Sequence, residues 1–255
     1  MSPRVSATTR QSKVVGIIPA RWGSTRFPGK PLYPIAGKVL LRRVWERCKR
    51  AKTLDAVIIA TDDMRIAEAA FEWGAEVALT SASHHSGTDR IAEVARKTKQ
   101  FGIVVNIQGD EPLVDPGLID KIVQQLRADR TIQIVTAAHR FEHRQDANSP
   151  HQVKVIIDLG GNALYFSRTP IPSSGNAFLR HQGIYGFRRK VLLQFVRWKP
   201  TPLERAESLE QLRALENGVK VHVLITAKGS PGIDTLDDAE TLEQKLAPTK
   251  RRVAR

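Results

Sequence analysis

The sequence contains little cysteine and no long apolar segment. Its single cysteine, Cys48, cannot build a disulfide framework or a thiolate metal cluster. The longest apolar run covers residues 14–20, whereas a membrane-spanning helix needs about 20 apolar residues. Residues 1–13 carry positive charge but lack the apolar core of a secretory signal. We therefore expect a cytoplasmic protein that does not insert into a membrane.

Positive charge is in excess, but it is distributed unevenly. The 255 residues include 40 Lys and Arg against 26 Asp and Glu, which gives a formal net charge of +14. Half of the excess lies in two tails, residues 1–13 and 247–255, which we expect to be flexible. Basic residues are not interleaved with aromatic ones, as many nucleic-acid binders require. An enzyme with polyanionic small substrates accounts for the remaining charge equally well, so we do not expect a nucleic-acid partner.

Short apolar runs alternate with amphipathic stretches along most of the chain. The runs at residues 14–20, 56–61, 76–80, 103–108 and 132–138 are apolar at nearly every position. Such runs are typical of strands in a parallel sheet that is covered by helices on both faces. The pattern predicts an α/β fold with a doubly wound, mostly parallel sheet.

Residues 148–187 depart from this alternation. Three short strand patterns follow one another there without intervening helices, which indicates antiparallel hairpins. We interpret this segment as a β-rich insertion, forming a substrate lid, a dimer arm or both, within a single domain that covers residues 14–246. Elsewhere the pattern predicts helices over residues 37–52 and 202–218.

The loop after the first strand, residues 19–32, combines glycines, hydroxyls and cations. Ligands of open parallel sheets bind at the carboxyl ends of the strands. Backbone amides together with cations such as Arg21 and Lys30 suit the oxygens of a phosphate. The loop matches neither the Walker A pattern nor G-x-G-x-x-G. It predicts a phosphate site, with a solvated basic loop as the alternative.

Two distant acidic segments offer carboxylates for a metal ion. Asp110 and Glu111 follow a predicted strand, and Asp234 precedes the last predicted helix. Mg²⁺ usually takes one or two carboxylates and completes its shell with phosphates and waters. Residue chemistry alone leaves simpler interpretations open, because Asp110 could be a turn residue before Pro112 and Asp234 could cap a helix.

The chain resembles the CMP-Kdo synthetases, which are the 3-deoxy-manno-octulosonate cytidylyltransferases, over about residues 14–246. The motifs that carry the resemblance are PAR-x-x-S-T-R-x-P-G-K-P-L, SGTDRIAEV, NIQGDEPLV, VKVIID, ALYFSRTPIP, FLRHQGIYGF, PLERAESLEQLRALENG and PGIDTLDDAETL. The first motif alone fits many sugar nucleotidyltransferases, but together with QGDEP it is specific.

The resemblance implies cytidylyl transfer from CTP to Kdo, an acidic sugar, giving CMP-Kdo and pyrophosphate for lipopolysaccharide biosynthesis. It also implies Mg²⁺, a cytoplasmic location and a homodimer, with the 148–187 insertion serving sugar binding and dimer contact. Asp110 and Asp234 would hold the metal, with Glu111 as a supporting neighbour. Arg21 and Lys30 would neutralise the triphosphate and the departing pyrophosphate.

The same resemblance implies two sets of binding residues. The expected nucleotide-binding residues are Ala20, Arg21, Ser24, Lys30, Ser86, Gly87, Thr88 and Gln108. The expected sugar-binding residues are Arg168, His181, Tyr185, Glu210 and Gln211.

Several of these residues also have purely structural interpretations. Ser86 or Thr88 could cap a helix, Glu210 could lie on a solvated helix face, and His181 could be an ordinary hairpin residue. The loop at residues 173–177 is shorter than in many family members, which leaves an 8-amino analogue of Kdo open as the substrate. Another sugar nucleotidyltransferase, such as a CMP-sialate synthetase, is the alternative activity.

Overall fold

The structure is a computed structural model that describes residues 12–23, 27–173 and 179–246. Ser24 and both basic tails, apart from Ser12 and Lys13, therefore lie outside the described residues. The strands are β1 Lys13–Ala20, β2 Pro34–Ile35, β3 Lys38–Val39, β4 Ala56–Thr61, β5 Glu76–Leu79, β6 Phe101–Asn106, β7 Ile134–Arg140, β8 Lys154–Ile157, β9 Ala163–Ser167, β10 Leu179–Arg188 and β11 Val221–Thr226. The α-helices are α1 Leu40–Cys48, α2 Met64–Glu72, α3 Gly87–Lys97, α4 Pro116–Ala128, α5 Arg189–Phe195, α6 Pro202–Glu207, α7 Leu212–Glu216 and α8 Leu236–Leu246.

Within the described residues, nine strands form one sheet, whose main path runs β11-β7-β10-β6-β1-β4-β5. Neighbours along this path are parallel except at β10, which is antiparallel to both β6 and β7. The predicted α/β fold with a mostly parallel sheet is confirmed. The antiparallel strands β8 and β9 join the sheet through β10, so the predicted insertion is continuous with the central sheet.

Helices cover both faces of the sheet, which explains why the strands are apolar throughout. Ile17 and Val104 pack into a core on the face of α3, α5 and α7. Ile18 and Val105, the next residues along β1 and β6, pack into a second core on the face of α1, α2 and α4. Because successive side chains of a strand point to opposite faces, a strand between two cores must be apolar at nearly every position.

Two of the predicted helices differ from the observed ones. The helix predicted to begin at residue 37 begins at Leu40, because Ala36 and Gly37 adopt φ values of 46° and 77° and close a β2–β3 hairpin. The single helix predicted over 202–218 is wrong, because Ser208, with φ 52°, ends α6 before α7 begins. None of the helices in the described residues has the length and apolar character needed to cross a membrane.

Candidate active site

A cleft of about 320 Å³ opens at the carboxyl ends of β1 and β6. Its walls include Ala20 at the end of β1, Arg21 after it, Ser86 and Gly87 at the start of α3, and Gln108 after β6. These side chains meet because parallel strands end at the same edge of the sheet. With Lys30, which also lines it, the structure brings together six of the residues predicted to bind nucleotide, and we refer to this space as the first cleft.

The N-terminus of α3 forms one wall of the first cleft. Ser86 caps the helix, since its Oγ accepts a hydrogen bond from the backbone N–H of Asp89 at 3.1 Å. Gly87 packs so closely on Pro19 that a Cβ there would lie 3.3 Å from the proline ring. The cap and a phosphate-binding role are compatible, because the N–H groups and dipole of a helix N-terminus favour anions.

Thr88 lies behind that wall instead of on it. Its hydroxyl donates a hydrogen bond of 2.5 Å to Oε2 of Glu210. Burial is the main reason why the pKa of Glu210 is raised, and the Thr88 hydrogen bond counteracts it. Thr88 therefore connects α3 to the segment between α6 and α7, and the structure gives it no place on the lining of the first cleft.

Lys30 holds the two predicted metal ligands next to one another. Its Nζ lies 2.7 Å from Oδ2 of Asp110 and 3.6 Å from Oδ1 of Asp234. It also donates a hydrogen bond of 2.8 Å to the carbonyl oxygen of Ile233. A backbone hydrogen bond of 2.9 Å from Ile233 N–H to the Asp110 carbonyl joins the same two segments. The two acids, far apart in sequence, thus converge on one cation.

Local structure explains both placements. A Cβ on Gly109 would lie 2.8 Å from the carbonyl oxygen of Pro19, so only glycine lets the chain after β6 pass this close to the end of β1. At the other segment, Thr235 and Asp238 share the capping of α8 through reciprocal side-chain to backbone hydrogen bonds of 3.2 and 2.8 Å. The carboxylate of Asp234 is therefore not the cap of this helix.

The residues present fit a divalent cation. The carboxylates of Asp110 and Asp234 flank the ammonium of Lys30. A positive charge is therefore already held at this point in the fold. The described residues contain no group of three or more His, Cys, Asp or Glu side chains that could hold a metal by themselves. Two carboxylates are nevertheless the usual protein share of a Mg²⁺ site that also uses phosphates and waters. Burial, and to a lesser extent the neighbouring Asp110, raises the pKa of Glu111 to about 8, which disfavours its charged form and makes it a weaker ligand than Asp110.

A second cleft, of about 540 Å³, shares Asp110 and Asp234 with the first. Arg180 and His181 from β10 and His139 from the end of β7 also line it. Arg180 offers a cation that an acidic substrate would need. The sequence interpretation assigned no role to Arg180 or His139, although Arg180 stands directly beside the predicted His181.

The five predicted sugar-binding residues do not meet in one place. His181 lines the second cleft, its Nε2 lies 2.9 Å from the Thr136 hydroxyl, and burial lowers its pKa to about 3, so it is neutral. Tyr185, Glu210 and Gln211 line a separate small cavity of about 30 Å³.

Arg168 lies outside both clefts in the described structure. Its guanidinium donates hydrogen bonds to the carbonyl oxygens of Pro150, Glu207 and Ser208 at 3.0, 2.8 and 3.2 Å. The side chain thus ties the end of β9 to the end of α6, and Arg180 is the arginine that reaches the second cleft.

Two clefts that share a pair of acids, at the carboxyl edge of a mostly parallel sheet, suit a nucleotidyltransferase. A model of the family described as Cytidylyltransferase matches residues 15–221. A 3-deoxy-manno-octulosonate cytidylyltransferase of Geobacter metallireducens is 46% identical over 92% of this chain and 98% of its own length. The enzyme of the same name from Syntrophobacter fumaroxidans is 49% identical over 92% of this chain and 97% of its own length. The chain belongs to the 3-deoxy-manno-octulosonate cytidylyltransferase family.

Solved structures agree with this assignment. A CMP:2-keto-3-deoxy-manno-octonic acid synthetase complexed with CTP superposes with a TM-score of 0.89 at 39% identity, covering 92% of this chain and 99% of that one. The 4-diphosphocytidyl-2C-methyl-D-erythritol synthase of Anaerococcus prevotii, at 17% identity and a TM-score of 0.65, shares the fold.

Proposed function

We propose that the chain transfers the cytidylyl group of CTP to the anomeric 2-hydroxyl of Kdo, giving CMP-Kdo and pyrophosphate for lipopolysaccharide biosynthesis. The observation that carries the proposal is the pair Asp110 and Asp234, which lies on the boundary between the two clefts. A nucleotide in the first cleft and an acidic sugar in the second would meet at these two carboxylates. The names of the relatives and of the CTP complex support the same pair of substrates.

In the proposed reaction the hydroxyl oxygen attacks the α-phosphorus, the bond from phosphorus to the pyrophosphate oxygen breaks, and the hydroxyl proton leaves to solvent. Such transfers depend on positioning and charge neutralisation more than on covalent help from the protein. Asp110 and Asp234 would hold Mg²⁺, which would neutralise charge at the α-phosphate and lower the pKa of the hydroxyl.

The other residues of the site bind and orient the substrates. The N-terminus of α3, together with Arg21 and Lys30, would neutralise the phosphates in the first cleft. Arg180 would bind the carboxylate of the sugar in the second cleft, while neutral His181 would exchange hydrogen bonds with its hydroxyls. A homodimer in the cytoplasm belongs to the proposal on the family resemblance alone.

The test is pyrophosphate release with CTP and Kdo, in the presence and absence of Mg²⁺, for the parent chain and two variants. Asp110→Asn should lower kcat by about 100-fold or more, because it removes a charge at the reacting centre. Asp237→Asn is the matched control, since that carboxylate is exposed in the first turn of α8 and lines neither cleft. Near-normal turnover of Asp110→Asn would remove Asp110 from the mechanism. Equal rates with other nucleotides or acceptors would contradict the proposed substrates.

A further inference from the structure

The edge of the sheet opposite the clefts carries the N-terminal ends of the parallel strands and the C-terminal end of β10. Hydrogen bonds hold these ends together as one surface. Arg127, in the last turn of α4, donates a hydrogen bond of 3.4 Å to the carbonyl oxygen of Ser12, which precedes β1. Arg189, after β10, donates a hydrogen bond of 2.7 Å to the carbonyl oxygen of Ala95, near the end of α3. This edge is therefore built by the fold and faces away from Asp110 and Asp234.

At least one exposed cation accompanies each of five adjacent strands on this edge, and we take one from each. Taken in the order of β7, β10, β6, β1 and β4, these residues, which we call the basic edge, are Arg130, Lys190, Lys99, Lys13 and Lys52. Neighbouring strands lie about 4.8 Å apart, so the row extends over roughly 20 Å.

The cations of the basic edge are not held in ion pairs with carboxylates of the described residues. No member of the row forms an ion pair with Asp or Glu within the described part of the chain. Asp55, three residues after Lys52, and Asp129, next to Arg130, accept hydrogen bonds from the backbone N–H groups of Val14 and Thr131. Their charges offset two of the five cations, and the row keeps an excess of positive charge. The row therefore projects positive potential into solvent over about a Debye length, about 10 Å at moderate salt.

The composition of the row favours a diffuse anionic surface as its partner. Four of the five cations are lysines, which act as strongly hydrated point charges, whereas paired recognition of nucleic-acid phosphates and bases uses arginine preferentially. Single-strand binders also need exposed aromatic rings. The strongly exposed apolar residues of the described chain include one aromatic, Phe71, in the last turn of α2 beyond the β4 end of the row, and a single ring does not form a stacking platform. We infer that the basic edge docks the protein onto an anionic phospholipid bilayer, with both clefts open to solvent.

The inference goes beyond the proposed function and is tested separately from it. The full chain is sedimented with phosphatidylcholine vesicles with and without phosphatidylglycerol. Each lysine near such a surface contributes about a fivefold change in partitioning, so Lys52→Gln/Lys99→Gln/Lys190→Gln should lower the partition coefficient on the order of 100-fold. The control is Lys121→Gln/Lys228→Gln/Lys245→Gln, which removes three exposed lysines from other surfaces and changes the net charge equally.

We expect the control to retain most of its binding, both variants to retain parental pyrophosphate release, and high salt to abolish the vesicle binding. An equal loss in the two variants would overturn the inference, as would a parent chain that does not bind anionic vesicles. Tighter binding to duplex DNA than to vesicles, lost in the basic-edge variant, would assign the surface to nucleic acid instead.

Discussion

Lys30 is the residue whose replacement tests the candidate site most directly. Its ammonium lies between the carboxylates of Asp110 and Asp234 and also binds the Ile233 carbonyl. Lys30→Met keeps most of the length of the side chain and removes the charge. The first cleft then loses one of its cations, and the two carboxylates face each other without it.

The magnitude follows from these contacts. A hydrogen bond that involves a charged group contributes about 1.5–3 kcal/mol. The side chains of Asp110 and Asp234 are 31% and 54% exposed, so in the Lys30→Met variant without substrate, water takes over part of the stabilisation that the ammonium gives these carboxylates. A phosphate oxygen held by Lys30 during the reaction has no such replacement inside the cleft. We therefore expect a loss of about 2–3 kcal/mol in transition-state stabilisation, which is about a 30- to 150-fold decrease in kcat/KM for CTP.

The assay is the initial rate of pyrophosphate release over a range of CTP concentrations at saturating Kdo. Lys38→Met is the matched control, because the Lys38 ammonium pairs with Glu46 at 2.7 Å on the surface and lines neither cleft. A kcat/KM for Lys30→Met within about threefold of this control, below about 0.7 kcal/mol, would refute the reasoning. Recovery of the rate at raised Mg²⁺ would show that Lys30 only separates the two acids, and we expect no recovery.

Two further predictions concern the elements that carry the site. Glu93 accepts hydrogen bonds from Lys97 and from the backbone N–H of Ser81, and these lower its pKa to about 2. The stability that these contacts give the folded protein is therefore complete above the ordinary glutamate pKa of about 4.3 and is lost as the pH falls towards 2. In urea unfolding at neutral pH, the free energy of unfolding of Glu93→Gln should be about 1–3 kcal/mol lower than that of the parent chain, and the difference should vanish in acid. A difference that does not change with pH would contradict this prediction. Arg213→Leu should lower the free energy of unfolding by about 3–5 kcal/mol, because it leaves Glu204 buried without its partner. The double variant Glu204→Gln/Arg213→Leu should recover part of that loss. A loss below about 1 kcal/mol for Arg213→Leu alone would contradict the pairing.

The fold and the first cleft were predictable because both depend on local patterns. Strands that are apolar throughout indicate a covered parallel sheet, and the carboxyl ends of such strands meet at one edge. Ala20 ends β1, Gln108 and Asp110 follow β6, and Ser86 caps α3, which begins at the same edge. Their convergence therefore follows from the order of the elements along the chain.

The sugar-binding set was harder to predict, because it depends on which face of β10 each residue occupies and on where helices end. The register of β10 against β7 shifts between Gln182 and Tyr185, so strict alternation along the strand does not hold. Ser208 ends α6, and the following turn directs Glu210 towards Thr88. Neither the shift nor the break has a signal in the local sequence, since both depend on tertiary packing.

Asp234 shows how one residue can have two explanations that sequence alone cannot separate. An aspartate just before a helix is a common N-cap, and it is also a common metal ligand. The structure assigns the capping of α8 to Thr235 and Asp238, while α8 packs through Ala239 and Leu242 onto a small core beside the β2–β3 hairpin. That packing, together with the backbone hydrogen bond from Ile233 to Asp110, sets the position of Asp234 relative to the sheet. The proposed metal pair therefore depends on the docking of α8, and a change that loosens this small core should weaken the site although it touches neither acid.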